Sequence, residues 1–549
     1  MEPTEVQKKI IENDGNTLVL ASPGSGKTFV ISEMVRRILK KDEILPYQGV
    51  IAISYTRKAS SNLKERTLSE GLFIKNSFFG TIDNFCLTQI VLSFVNYVWG
   101  AINQDPEIIG INDIPKEDKG NYIWLKDNHP DYNLVTGERW HTLMTLYSKG
   151  YFLVESLELI ALYILKNCAA CQNYVKSRFK YIYIDEFQDA DTYTNDIFLQ
   201  LIDLGLTGVA VGDENQSIFG FAHKDSRYLT ALKDNINFKT FELKDNFRCS
   251  APIVNYSNRL IDKESQLLDT DENGVFLVKV DGGEERIADF IEKYMGRLCK
   301  KWDVKDYSKV AILVKNTRTQ AMINDSLTIP HRVIETTPLD IDLNPRSRLF
   351  TLLLRFYLDK KYSMINVLDE FVDYEELTIY DRKTFLVCFN SIRENSKCDK
   401  EFLVLSFNNI ANLLLPKIGV GASLTLLKEV IDNDNLFSSY KPLEDNEVLL
   451  MTLHKSKGLE FDIVFHLNLN EWELPSKTVK FNDFKHPKYI NWNQDLNLHY
   501  VGLTRARKAC YIVRSSLRTN NNGETKNAFD SEFLDMNHLS DLRKNYRYK

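Results

Sequence analysis

Short apolar runs, each ending in a polar block, recur along this chain. Thr17-Leu18-Val19-Leu20-Ala21 is rich in strand formers and predicts a buried strand that ends at a glycine loop. From Lys27 to Lys40 the period changes. Val30, Ile31, Met34, Val35, Ile38 and Leu39 fall at helical spacing. Val50 to Ser54, Phe179 to Ile184 and Gly208 to Val211 predict further strands. The second of these ends in Asp185-Glu186, and the third delivers Gly212-Asp213 and Gln216. Downstream, Val310 to Val314 and Glu447 to Met451 predict two more strands.

Strand, glycine loop and helix in that order are the context of a phosphate-binding loop. The loop reads Ser22-Pro23-Gly24-Ser25-Gly26-Lys27-Thr28, preceded by Ala21 where the general pattern has glycine. Gly24 and Gly26 allow backbone N–H groups to approach phosphate oxygens, and the helix N-terminus adds favourable dipole. Lys27 is the candidate for the β and γ phosphates, and Thr28 for Mg²⁺. An acidic pair leaving a neighbouring strand has matching chemistry. Asp185 would hold the metal and Glu186 would polarise the attacking water. Gln216 is placed to sense the γ phosphate. Gln7, about twenty residues before the loop, is a candidate to read the adenine edge.

Composition narrows the class. The 549 residues are enough for two to four domains; hydrophobic residues make 44%, charged residues 26%, and the net charge is −6. A net negative charge argues against a nonspecific polycation but not against a local basic groove. No apolar stretch of about 18 residues occurs, and the acidic start Met1-Glu2-Pro3-Thr4-Glu5 is unlike a signal peptide, so a cytoplasmic protein is expected. The eight cysteines are scattered. Only Cys168 and Cys171 have metal-like spacing and no second pair lies nearby, which predicts reduced, unliganded thiols.

Six blocks stand in a fixed order: Ala21 to Thr28, Ser54 to Ala59, Asp185 to Asp189, Gly212 to Ser217, Thr452 to Glu460 and Tyr500 to Ala506. In this order they resemble the superfamily 1 helicases of the UvrD/Rep type, from Gln7 to Arg507. The resemblance implies an α/β fold with two RecA-like P-loop domains, each carrying an inserted, mainly helical subdomain. On this layout, residues 1–84 and 150–250 build the first domain and 85–149 its insertion. Residues 251–340 and 446–549 build the second, with 341–445 as a short insertion. The resemblance also implies roles. Phe247 takes an aromatic stacking position, Arg248 reaches the γ phosphate, Glu460 contacts ribose, and Arg505 is an arginine finger from the second domain. Tyr55, Thr56, Lys58 and Thr81 touch DNA backbone, Phe219 and Phe221 stack bases, and Thr452, His454 and Ser456 clamp backbone from the second domain. Four positions depart from the pattern: Asp83 replaces histidine, Ala222-His223 replace Arg-Gly, Phe29 stands for an arginine, and Asn497 stands for another.

Ile51 to Ser60, Ser77 to Asp83 and Asp245 to Cys249 further resemble the helicase-like subunit of bacterial Gabija anti-phage systems. That resemblance implies a hetero-oligomer with a nuclease bearing an ABC-type ATPase domain and a Toprim domain. It also implies hydrolysis of ATP with Mg²⁺, stimulated by single strands or ends of DNA, with 3′ to 5′ polarity. The alternative is a regulatory NTPase subunit of a nuclease complex that hydrolyses nucleotide without productive unwinding.

Overall fold

The computed structural model describes residues 2–549 except 42, 69–71, 104–105, 112–113, 128–129, 221–223, 225, 373, 375–376, 395–398, 417, 480–486 and 520–522, and omits the side chains of 57, 58 and 127. Two parallel sheets organise it. β1 (Thr17–Ala21), β2 (Gly49–Ile53), β3 (Phe78–Gly80), β4 (Phe179–Ile184), β5 (Thr207–Gly212) and β6 (Lys239–Leu243) stand in the order β3-β2-β4-β5-β1-β6. All their pairings are parallel. β1 is flanked on both edges, Leu18 pairing with Ala210 on one side and Thr240 on the other. A central strand covered on both faces has no polar side, which is why its sequence is continuously apolar.

Side chains alternate between those faces with the strand period of two. Leu18, Ile51, Ile53, Ile182 and Ile184 join one core. Val19, Ala21, Val50, Ala52 and Tyr183 join the other, where the helix Lys27–Leu39 buries Val30, Ile31, Met34, Val35 and Ile38. The first face is covered by Leu157–Asn167, a helix apolar on most of its circumference because it lies under other elements.

The second sheet contains β7 (Val275–Val280), β8 (Val310–Val314), β9 (His331–Val333), β10 (Val448–Thr452), β11 (Phe461–His466), β12 (Ala506–Ser515) and β13 (Lys544–Tyr548). Their order is β9-β10-β8-β11-β12-β7-β13, again parallel throughout. Its faces are sorted in the same way: Val275, Leu277, Ala311 and Leu313 on one side, Phe276, Val278, Val310 and Ile312 on the other. The expected α/β class, with two parallel-sheet domains, is what the chain adopts.

Between β3 and β4 lies a small outer core of Ile111, Trp124, Leu125, Leu143 and Leu146. Between β9 and β10, helices from Pro338–Ile341 to Asp434–Ser438 enclose Leu349, Phe350, Leu353, Phe389, Phe407 and Leu427. The chemistry-bearing blocks leave the C-terminal ends of β1, β4, β5 and β10, the usual location for ligand crevices in parallel α/β sheets.

Candidate active site in the cleft between the two domains

The glycine loop is built by close backbone contacts. Gly24 (φ +71°) and Gly26 (φ +87°) both adopt left-handed conformations. A Cβ on Gly24 would lie 2.6 Å from Arg248 Cβ and 2.7 Å from Asn246 Oδ1, so only glycine fits. The loop is tied to the end of β6: Ser22 N donates to Leu243 O at 2.9 Å, and Phe247 N donates to Gly24 O at 2.9 Å. Gln7 is buried beside the loop. Its Nε2 donates to Ser25 O at 3.1 Å, and its Oε1 accepts from Thr4 N at 3.0 Å. Lys27 Nζ is buried without a hydrogen-bond partner among the described residues and faces Glu186 Oε1 at 4.0 Å.

The acids follow from β4. Glu186 has φ +57°, a left-handed conformation costing a non-glycine residue about 1–3 kcal/mol, and Asp185 Oδ1 accepts its N–H at 2.9 Å. Gln188 braces the turn twice. Its Nε2 donates to Glu186 Oε2, and its Oε1 accepts from Asp213 N at 2.9 Å. Asp213 in turn accepts from Gln216 Nε2 at 2.7 Å. The two carboxyls of the acidic pair diverge. Burial, then the adjacent Glu186, push Asp185 up to about 7. Burial also works against ionised Glu186, but the cations Lys27 and Lys457 outweigh it and bring it down to about 2.

The second domain completes the cleft. Arg505, 1% exposed, donates from Nη2 to Gln216 Oε1 at 3.1 Å, from Nη1 to Leu459 O at 3.1 Å and from Nε to Val501 O at 3.1 Å. Burial first, then nearby Arg248, lower its pKa to about 10. Arg248 Nε pairs with Glu460 Oε2 at 2.9 Å, and Arg507 Nη1 reaches Glu460 Oε1 at 3.3 Å. Lys457 crosses between domains: its Nζ pairs with Asp189 Oδ2, donates to Gln216 O at 2.6 Å and lies 4.0 Å from Glu186 Oε2. Lys27, Glu186, Gln216, Arg248, Glu460 and Arg505 thus gather around one cleft, although Lys27 and Arg505 lie at opposite ends of the sequence. Phe247 stands at its edge, half exposed.

This donor set fits a nucleoside triphosphate with a hard divalent cation. An ammonium with no hydrogen bond among the described residues, a loop whose glycines admit no Cβ, and a carboxyl pair whose burial favours a neutralising charge stand together at the C-terminal ends of β1 and β4. Thr28 and Asp185 offer oxygen ligands, and Mg²⁺ commonly takes only one or two side chains beside phosphate and water.

The predicted DNA residues divide into groups. Tyr55 and Phe219 stack with centroids 4.8 Å apart and planes at 24°. The His454 ring stands 6.0 Å from Phe219, and the Lys457 ammonium lies 5.1 Å from its centroid. Thr56 is exposed, and its Oγ1 accepts from Ala59 N at 3.1 Å. Thr81 caps the turn Ile82–Phe85, accepting from Asn84 N at 3.3 Å. Thr452 is buried and accepts from Lys455 N at 3.4 Å. Ser456 is fully buried, its hydroxyl donating to Leu453 O at 2.7 Å, so it sits beneath the surface formed by its neighbours. Phe221 and the Lys58 side chain lie outside the described residues. A crevice lined by Tyr55, Thr81, Asp83 and Lys224 continues to Asp185 and Glu186. There Lys224 Nζ pairs with Asp191 Oδ2 at 3.2 Å, which places a cation two residues beyond Ala222.

Sequence reasoning missed three braces: Lys457, Gln188 and Gln494, whose Nε2 donates across the cleft to Ile218 O at 2.8 Å. Lys457 and Gln188 stand inside recognised blocks, so the blocks themselves carried the signal. Gln494 had none.

Comparison with known proteins agrees with this geometry. An AAA domain family matches residues 6–222. The UvrD-like helicase C-terminal domain family matches residues 365–516. Gabija protein GajB of Bacillus cereus (strain VD045) is 26% identical over 535 residues, covering 94% of this chain and 97% of that protein. DNA helicase II of Haemophilus influenzae is 25% identical over 628 aligned residues, covering 92% and 82%. ATP-dependent DNA helicase PcrA of Staphylococcus epidermidis is 22% identical over 625, covering 94% and 83%.

Proposed function

We propose, on the premise that this chain is a UvrD-like superfamily 1 helicase resembling GajB and an ATP-dependent DNA helicase, that it acts in anti-phage defence with a nuclease partner. DNA single strands or ends stimulate it, and it moves 3′ to 5′. The partner carries an ABC-type ATPase domain and a Toprim domain. The resemblance to Gabija proteins supports the partner and the defence role.

One observation carries the enzymatic part: Arg505 of the second domain donates to Gln216 of the first, three residues before Phe219. Lys27 binds the β and γ phosphates. Glu186, held ionised by Lys27 and Lys457, polarises the attacking water. Arg248 and Arg505 meet the charge that develops on the γ phosphate. Gln7 reads adenine, and Glu460 contacts ribose. Thr28 and Asp185 would hold Mg²⁺, which neutralises charge on the β and γ oxygens when bound. On the track, Tyr55, Thr56, Lys58, Thr81, Thr452 and His454 meet the DNA backbone, Ser456 underlies that clamp from beneath, and Phe219 and Phe221 stack bases. Opening and closing of the cleft moves the two DNA clamps relative to each other.

ATP hydrolysis and strand displacement, measured side by side on duplexes with 3′ or 5′ tails, test this reading. The expected result is DNA-stimulated hydrolysis with displacement from the 3′-tailed duplex. Stimulated hydrolysis without displacement selects the alternative, a regulatory NTPase subunit. A hydrolysis rate indifferent to DNA rejects both. Co-purification with a nuclease of the stated domains tests the partner separately.

A further inference from the structure

We propose that Gln494 and Asn497 are positioning residues that carry closure of the cleft from the nucleotide pocket to the stacking ring Phe219. The proposal rests on the reading of the chain as a DNA-stimulated ATPase. Three consecutive carbonyls of the first domain accept side-chain hydrogen bonds from the second. Lys457 Nζ donates to Gln216 O at 2.6 Å, Asn497 Nδ2 to Ser217 O at 3.0 Å, and Gln494 Nε2 to Ile218 O at 2.8 Å. These carbonyls lie beyond the end of β5, outside its ladder. Backbone acceptors in a partly buried segment need partners. Here the partners come from the other domain.

The segment has a different task at each end. Gln216 meets Arg505, and Phe219 meets Tyr55. It is too short to flex independently at both. The helix Trp492–Thr504 holds it along one face: Gln494 and Asn497, spaced i and i+3, bond to it, and one turn on Val501 O accepts from Arg505, which follows at the cap. The same helix therefore delivers the guanidinium to the pocket and two amides to the strut. Any displacement of this helix moves both contacts together.

The Gln494 amide is held in its donating orientation. Asn491 Nδ2 donates to Gln494 Oε1 at 3.0 Å, leaving Nε2 for Ile218 O. A Cβ on Gly220 would come 3.2 Å from Gln494 Oε1, so the approach is tight. Asn497 makes a second, longer contact to Glu214 O at 3.4 Å. It occupies the position where an arginine was expected, and an amide there reaches the strut without adding charge.

The test compares wild type with the double variant Gln494→Glu/Asn497→Asp, whose side chains keep their size but lose their donors. ATP turnover is measured with and without single-stranded DNA, alongside KM for ATP and thermal melting. In the double variant DNA stimulation should fall about tenfold, within the usual range of coupling between sites. Turnover without DNA and KM for ATP should stay within about twofold of wild type. Asn497→Arg, which keeps a donor, should retain most of the stimulation. Unchanged stimulation in the double variant overturns the proposal. So does a parallel fall of DNA-free turnover and stimulation, which would mean a merely structural role. A wild-type rate indifferent to DNA overturns the parent reading and this proposal with it.

Discussion

The two halves of the cleft are braced in different ways. In the first domain the polar groups hold one another: Gln7 on Ser25, Gln188 on Glu186 and Asp213, and Gln216 on Asp213. Its principal cation, Lys27 Nζ, stands among them without a hydrogen bond among the described residues. In the second domain the reverse holds. Arg505 is committed to two carbonyls of its own domain before it touches Gln216. One cation is left for a ligand to satisfy, and the other is part of the fold. Equal loss of chemistry should therefore come with unequal loss of stability.

Arg505→Ala should have the largest effect. In its proposed role as an arginine finger, its loss should lower turnover by about 10³–10⁵. Leu459 O would also lose its donor, an orphaned group costing about 1–3 kcal/mol, while Val501 O keeps the Thr504 hydroxyl, so the melting temperature should fall clearly. Arg505→Lys keeps the charge but not the fork and should recover only part of either property. Lys27→Ala should lower turnover by about 10³. It removes no hydrogen bond among the described residues, only one of the two cations that face Glu186, so its melting temperature should fall by less than that of Arg505→Ala. Equal melting of Lys27→Ala and Arg505→Ala would break the comparison.

The contact that joins the two halves comes next. Lys457 and Asp189 have side chains only 7% and 1% exposed. Breaking a buried pair by removing one partner costs about 3–5 kcal/mol, so Lys457→Met should melt well below wild type, and Lys457→Met/Asp189→Asn should recover much of the loss. The pH dependence has a definite sign. Burial raises Asp189 from 3.8 to about 6 even with Lys457 opposing it. A carboxyl raised on folding costs nothing below its unfolded value, and the cost is complete above its folded value. Without Lys457 the folded value rises further. The single variant should therefore lose more stability relative to wild type at pH 8 than at pH 5. A deficit independent of pH would show that Asp189 does not carry it.

Legibility in the sequence followed the same division. The first half could be read because its chemistry is local: Gly24 to Thr28 directly follow β1, and Asp185-Glu186 directly follow β4, so period and motif coincide. The sheets were legible for the same reason, since strands buried on both faces have no polar side. Arg505 could be placed only through resemblance, because no local signal says that a residue so far along the chain meets Gln216. Gln494 was not legible at all. An amide on a helix becomes informative only once the carbonyl it meets is known. Ser456 stands in a recognisable block, and only the fold shows that its hydroxyl turns onto Leu453 O.

Phe219 should give the smallest effect and the sharpest view of where the halves meet. Its ring lies on Tyr55 of its own domain and near His454 and Lys457 of the other. Stacking one base on an aromatic ring is worth about 1–3 kcal/mol, so Phe219→Ala should weaken single-stranded DNA binding by about 5- to 150-fold. Phe219→Trp keeps a stacking face and should bind close to wild type. Because bases of every kind have a π face, the loss should be similar on poly-dT and on mixed sequence. A core residue would behave differently: Phe219→Ala would lower the melting temperature by several degrees and leave DNA affinity intact. Fluorescence anisotropy and melting on the same preparation separate the two. If only the melting temperature falls, the aromatic segment belongs to the packing of the first domain, and the strut from Gln216 ends short of DNA.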